Sequence, residues 1–208
     1  MDNMIPKWLE WAQKIQAVSR NGLTYTQNVF DQERYHQLQE VATEIISAYS
    51  EVDMPLIRDI FDKQAGYMTP KVDVRGAVFK DDRLLFVKEL SDGGWTLPGG
   101  WVDVNESPGQ AVEREVREEA GYIVKAVKLA AVYDRNKHPH PPYLFHAYKL
   151  FFICDLLGGE PTVSIETGGA EFFTRDNLPD LSLARTTPDE IERCFDYHFQ
   201  PNLPTEFD

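Results

Sequence analysis

Residues Gly99 to Tyr122, GGWVDVNESPGQAVEREVREEAGY, constrain this chain more than any other stretch, because they fix both ends of one helix and the loop that feeds it. Ser107 is a good N-cap, Pro108 suits the first helical position and Gln110 completes an S-x-x-Q capping box, so a helix begins there. Gly121 ends it as the left-handed residue beyond the last turn. At about 100° of rotation per residue, Val112, Val116 and Ala120 share one face while Glu115, Glu118 and Glu119 line the neighbouring one. Like charges three and four residues apart repel. Such a stripe is either a solvated acidic face or a set of donors for a hard, oxygen-seeking divalent cation.

The wider spacing favours the second. From Gly100, five residues lead to Glu106, seven more to Arg114-Glu115, then come Val116, one free position, Glu118-Glu119, one free position and Gly121. This resembles the Nudix box, G-x5-E-x7-R-E-U-x-E-E-x-G-U with U apolar. Only Tyr122 departs from it, standing where an aliphatic residue is usual. A tyrosine entering a strand can still be buried, so the change is conservative. The likeness extends to GLTYTQNVFDQERYHQL and to YDRNKHPHPP and FHAYKLFFICDLLGGE. These are similar to the Nudix subgroup with an N-terminal helical region that includes CDP-choline and ADP-ribose pyrophosphatases.

The resemblance implies an α/β/α sandwich with a mixed sheet between helices and the box helix on one face. It implies a Mg2+-dependent pyrophosphatase, with Mn2+ as a substitute ion, acting on a nucleoside diphosphate linked to another group and releasing a nucleoside monophosphate and a phosphorylated remainder. The metal ligands it implies are Glu115 and Glu119 first, then Glu118 and the Gly99 carbonyl. Arg114 and Glu106 correspond to the ion pair that steadies the loop against the helix. The general base comes from outside the box; Glu166 is the candidate, because two glycines follow it ahead of a predicted strand, and Glu171 is second. Trp101, Tyr133 and Phe145 are candidates for stacking on a base or ribose, although aromatic residues at strand positions are more often core. His138 and His140 could be mistaken for a metal pair, but in a proline-stiffened loop without a third ligand nearby they read as plain loop residues within reach of substrate, and Asp134 and Arg135 as polar groups near the far end of the substrate.

The 208 residues suffice for one good-sized domain and a smaller one. Residues 1–69 are expected to be a helical domain for packing or dimerisation, and 70–208 the hydrolase domain. Stripes over Trp8–Val18, Leu38–Tyr49 and Leu56–Phe61 predict three helices, the first broken at Asn21-Gly22 and the second capped by Asp31. Beyond Pro70 the pattern turns to strands. A hairpin is expected over 72–87, strands over 123–132, 143–156 and 170–173, a helix from Pro188 to about His198, and a tail at the end.

A formal net charge of −13 repels polyanions and disfavours a nucleic-acid partner, though not attack on an RNA end held by metal. Cys154 and Cys194 have neither zinc-type spacing nor a disulfide framework. The opening MDNMIPKWLEWAQ has no apolar core of a signal peptide, and no run approaches the ~18 apolar residues of a membrane span, so a cytoplasmic location is expected. The competing class is a non-catalytic Nudix-fold sensor of a nucleotide metabolite; an intact carboxylate set argues against it.

Overall fold

The structure, a computed structural model, describes residues 5–164 and 167–208. They form two compact units, Ile5–Pro70 with Pro142–His146, and Lys71–Pro141 with Ala147–Asp208.

The first unit holds helices α1 (Lys7–Tyr25), α2 (Val29–Tyr49) and α3 (Met54–Asp62). α1 and α2 run antiparallel: Trp8 stacks on Tyr49 at one end, and Gly22 meets Tyr35 at the other. The predicted break at Asn21-Gly22 does not occur. A Cβ at Gly22 would lie 2.3 Å from the Tyr35 ring, so glycine is there to let the second helix approach. α2 also starts earlier than expected, because Asn28 rather than Asp31 caps it, accepting from the Phe30 and Asp31 amides. Ala12, Ile46, Ile57 and Phe61 form the small core.

The second unit is a mixed sheet of β1 (Lys71–Lys80), β2 (Arg83–Glu89), β3 (Trp95–Thr96), β4 (Tyr122–Asp134), β5 (Ala147–Gly159), β6 (Thr167–Phe173) and β7 (Glu206–Phe207). The order is β3-β2-β1-β5-β4-β7, with β6 on the other edge of β2. β1 and β5 are parallel, with Asp73 opposite Lys149. Side chains alternate across a strand, and the two cores follow that alternation. Val74, Val78, Leu85 and Val87 face α4 (Pro108–Ala120) through Val112, Val116 and Ala120. Ala77, Leu84, Phe86 and Phe151 face α5 (Pro188–Phe199) through Ile191, Cys194 and Phe195. This is the expected sandwich, one helix on each face.

Three details differ from expectation. β5 begins at Ala147, since Pro142–His146 belong to the helical unit. Arg135–Lys137 make one 3-10 turn inside the proline-rich stretch, capped by the Asp134 carboxylate. The expected tail instead supplies β7, parallel to β4 at Ala131 and Val132.

Candidate active site

The capping box of α4 forms as the sequence requires, Ser107 and Gln110 bonding each other reciprocally, and Gly121 closes the helix at φ 78°. Ahead of it, the chain from Pro98 to Val102 is laid along β1. Gly76 N–H donates to Pro98 O and Val74 N–H to Gly100 O, both at 2.9 Å, and Val102 N–H donates to Val72 O at 3.0 Å. Gly99 sits at φ 148° with its missing Cβ only 1.9 Å from Val74 O, so no other residue fits. A Cβ at Gly100 would come within 3.0 Å of Glu115 Oε1. The two glycines thus wedge backbone between β1 and the last turns of α4.

The carboxylates meet that backbone differently. Glu119 is buried, and its Oε2 accepts the Gly99 N–H at 2.9 Å. Thr167 Oγ1 donates to the Glu119 carbonyl at 2.7 Å, fixing the helix end to β6. Arg114 gathers the others. Its Nε and Nη2 fork onto Glu106 at 3.0 and 2.9 Å, while Nη1 donates to Glu115 at 2.8 Å and Glu118 at 3.0 Å. The bond from Arg114 holds the Glu106 carboxyl below the usual range. Burial pushes Glu115 up, against the pull of Arg114. Burial pushes Glu119 further, to about 7, with Glu115 adding to the rise while Arg75 and the Gly99 amide oppose it. Among the described residues, no three His, Cys, Asp or Glu side chains converge as a metal cage. The donor chemistry nevertheless fits a hard divalent ion: a buried carboxylate resisting its own charge, beside a second carboxylate, is stabilised by a cation.

With the geometry in place, the comparisons decide the family. A domain family described as the NUDIX domain matches residues 69–194. The chain belongs to the Nudix hydrolase family. Ahead of that domain, a family described as "UDP-X-like, N-terminal oligomerisation domain" matches residues 6–61. The chain is 43% identical over 202 residues to a putative ADP-ribose pyrophosphatase, YjhB, of Bacillus subtilis, covering 97% of both. Among solved structures, an ADP-ribose pyrophosphatase of Streptococcus suis is similar with a TM-score of 0.62 and 41% identity, over 67% of this chain and all (100%) of that one. A UDP-X diphosphatase is similar with a TM-score of 0.63 and 30% identity, over 97% and 98% of the two chains.

This Nudix hydrolase also carries charged groups that its sequence did not single out. Asp73 and Arg75 pair on β1, both buried, through bonds of 2.8 and 3.0 Å. Glu89, buried at the end of β2, takes Arg185 Nε at 2.7 Å. On β5, Lys149 is buried against Glu190 of α5, 3.2 Å away, and donates to Arg185 O. The available signal was a charge at an inward position of an otherwise apolar strand, as in VDVRGAVF.

The remaining candidates disperse. Trp101 is exposed, with Lys71 Nζ 5.9 Å from its ring. Tyr133 is core, 5.6 Å from the Phe151 ring, and Phe145 lies in the helical unit edge-on to Tyr143. His140 is corrected from a plain loop residue: it is buried, Nδ1 2.9 Å from Leu183 O and Nε2 2.9 Å from Glu190. His138 lies 3.3 Å from Asp208. Arg135 is likewise buried, donating to Ala184 O at 3.1 Å. Glu171 is exposed on β6 opposite Phe86. Glu166 lies outside the described residues.

Proposed function

We propose that this enzyme hydrolyses the pyrophosphate bond of a nucleoside diphosphate linked to another group, ADP-ribose being the first choice, to give a nucleoside monophosphate and a phosphorylated remainder. The observation that carries this is the buried Glu119 carboxylate, held up near 7, on the glycine loop beside Glu115. Whole-length likeness to the YjhB relative supports ADP-ribose. Whole-length likeness to the UDP-X diphosphatase supports a UDP-linked compound as the second reading. CDP-choline follows from the subgroup resemblance alone.

Glu115 and Glu119, then Glu118 and the Gly99 carbonyl, would hold Mg2+, with Mn2+ as a substitute. When bound, the cation supplies Lewis acidity at the phosphate oxygens. Arg114, saturated by Glu106, orients Glu115 and Glu118. Glu166 is the proposed general base and Glu171 the second choice. Residues 1–69 would form a homodimer, motivated by exposed Trp11, Tyr25 and Phe30 on α1 and α2, while residues 70–208 carry the chemistry. No helix among the described residues is long and apolar enough to cross a membrane; the cytoplasm is the proposed location.

The test is incubation with Mg2+ and ADP-ribose, UDP-linked sugars, CDP-choline, dinucleoside polyphosphates and nucleoside triphosphates, with products separated by chromatography. Monophosphate release from ADP-ribose is the expected result. Binding of any of these compounds without cleavage would return the protein to the sensor class.

A further inference from the structure

We infer that Arg75, paired with Asp73, is a positioning residue for the Nudix site: it fixes the entry into the Gly99-Gly100 loop and thereby aims the Gly99 carbonyl and the Gly99 amide that Glu119 uses. This rests on Gly99 and Glu119 belonging to the metal site, not on the choice of substrate.

The pair is an odd feature of β1. Its neighbours Val74, Ala77 and Val78 are fully buried apolar residues, yet Asp73 and Arg75 form an ion pair at side-chain exposures of 9% and 7%. A buried ion pair is poor evidence of stabilisation, because apolar residues of similar volume often serve the fold as well or better. Something other than stability has to explain its presence. The guanidinium geometry supplies it. Two of its nitrogens fork onto Asp73, and the third, Nη1, donates to Leu97 O at 3.1 Å and lies 3.5 Å from Thr96 Oγ1. Thr96 Oγ1 in turn lies 2.7 Å from Thr186 Oγ1. Asp73 therefore holds the planar fork, and the fork holds the chain at the residue before Pro98. A lysine, with one point charge, cannot do both.

The effect on the loop follows from the succession of carbonyls. Leu97 O is tied to the Arg75 side chain, Pro98 O to Gly76 N–H and Gly100 O to Val74 N–H. With the carbonyls on both sides tied to β1, and Gly99 confined to a φ only glycine tolerates, the orientation of the Gly99 peptide is set. Among these ties Leu97 O alone takes side chains, Arg75 Nη1 at 3.1 Å and Thr96 Oγ1, itself 3.5 Å from Arg75 Nη1, at 3.3 Å; the other two are backbone to backbone.

The experiment uses the full chain with Asp73→Leu/Arg75→Met, Arg75→Lys and Thr96→Val. Amide hydrogen exchange of residues 97–102 is read on metal-free protein, Mn2+ affinity by electron paramagnetic resonance, and kcat on whichever compound the native protein cleaves. The double variant is expected to fold and to keep native exchange in β5. Exchange over 97–102 should rise about 10-fold or more as local opening becomes easier. Mn2+ affinity should fall about 10-fold and kcat about 100-fold, the scale for a small misplacement of reacting groups. Arg75→Lys should fall between native and double variant in all three. A folded double variant with native exchange and native Mn2+ affinity would overturn the inference. If it does not fold, unchanged exchange over 97–102 in both Arg75→Lys and Thr96→Val would do so. Should the native protein cleave nothing, the proposed function fails, while exchange and Mn2+ binding still decide the role of Arg75.

Discussion

Glu119 of α4 and Glu190 of α5 are both helix glutamates packed against the same sheet, buried to within 8% and 1% of full cover, and their chemistry is opposite. Burial pushes both towards the neutral acid. At Glu190 the Lys149 charge, the His140 bond and the Thr187 amide outweigh it and hold the carboxyl at about 2. At Glu119 one amide and the Arg75 charge do not, and the carboxyl stays at about 7. One acid is completed by partners within the protein and the other is not. Burial alone therefore does not set the charge of an acid; the completeness of its partners does.

Breaking the finished side should have the largest effect on stability. Glu190→Gln leaves Lys149 buried without its counter-charge, and urea unfolding should show a loss of about 3–5 kcal/mol. Glu119→Gln removes a charge that the fold does not complete, so the unfolding midpoint should hold or rise while kcat falls on the order of 100-fold, as when a charge-stabilising group leaves a reaction centre. A midpoint that drops as far as that of Glu190→Gln would erase the contrast. Acid sharpens it further. The Glu190 carboxyl is depressed from its unfolded value near 4.5 to about 2, so its contribution is complete above the first value and drains away as pH falls through the second. Unfolding curves at pH 6, above that window, and at pH 4 and 3, inside it, should draw together for native protein and Glu190→Gln as the pH drops. Smallest of all, Arg114→Lys keeps the charge but loses the fork that reaches Glu106, Glu115 and Glu118 together. Mn2+ affinity should weaken about 10-fold with little change in the unfolding midpoint.

The parts of this molecule governed by neighbours in sequence were legible. Ser107, Gln110 and Gly121 define α4 through contacts within a few residues, and the alternation of β1 and β2 sorts their side chains between two cores. The resemblance to the Nudix box brought Glu106, Arg114, Glu115 and Glu119 to attention. What could not be read depends on distant partners. Gly22 breaks a helix by local rules and continues one here, because the ring it accommodates is on the next helix. Lys149 is a charge within a strand whose partner, Glu190, stands 41 residues on. Arg75 is the same case: its meaning lies in Leu97 O, a backbone atom that no residue pattern advertises.

The closing residues of the chain have a consequence beyond tidying the fold. Glu206 and Phe207 pair with the free side of β4, Thr205 bonds Leu129 O, and Asp208 receives the Asp134 amide. An open strand side invites another chain to extend the sheet. Here that position is occupied from within. Loosening Glu206 and Phe207 would reopen that side of β4 to pairing with another chain, so these few residues guard against edge-to-edge association.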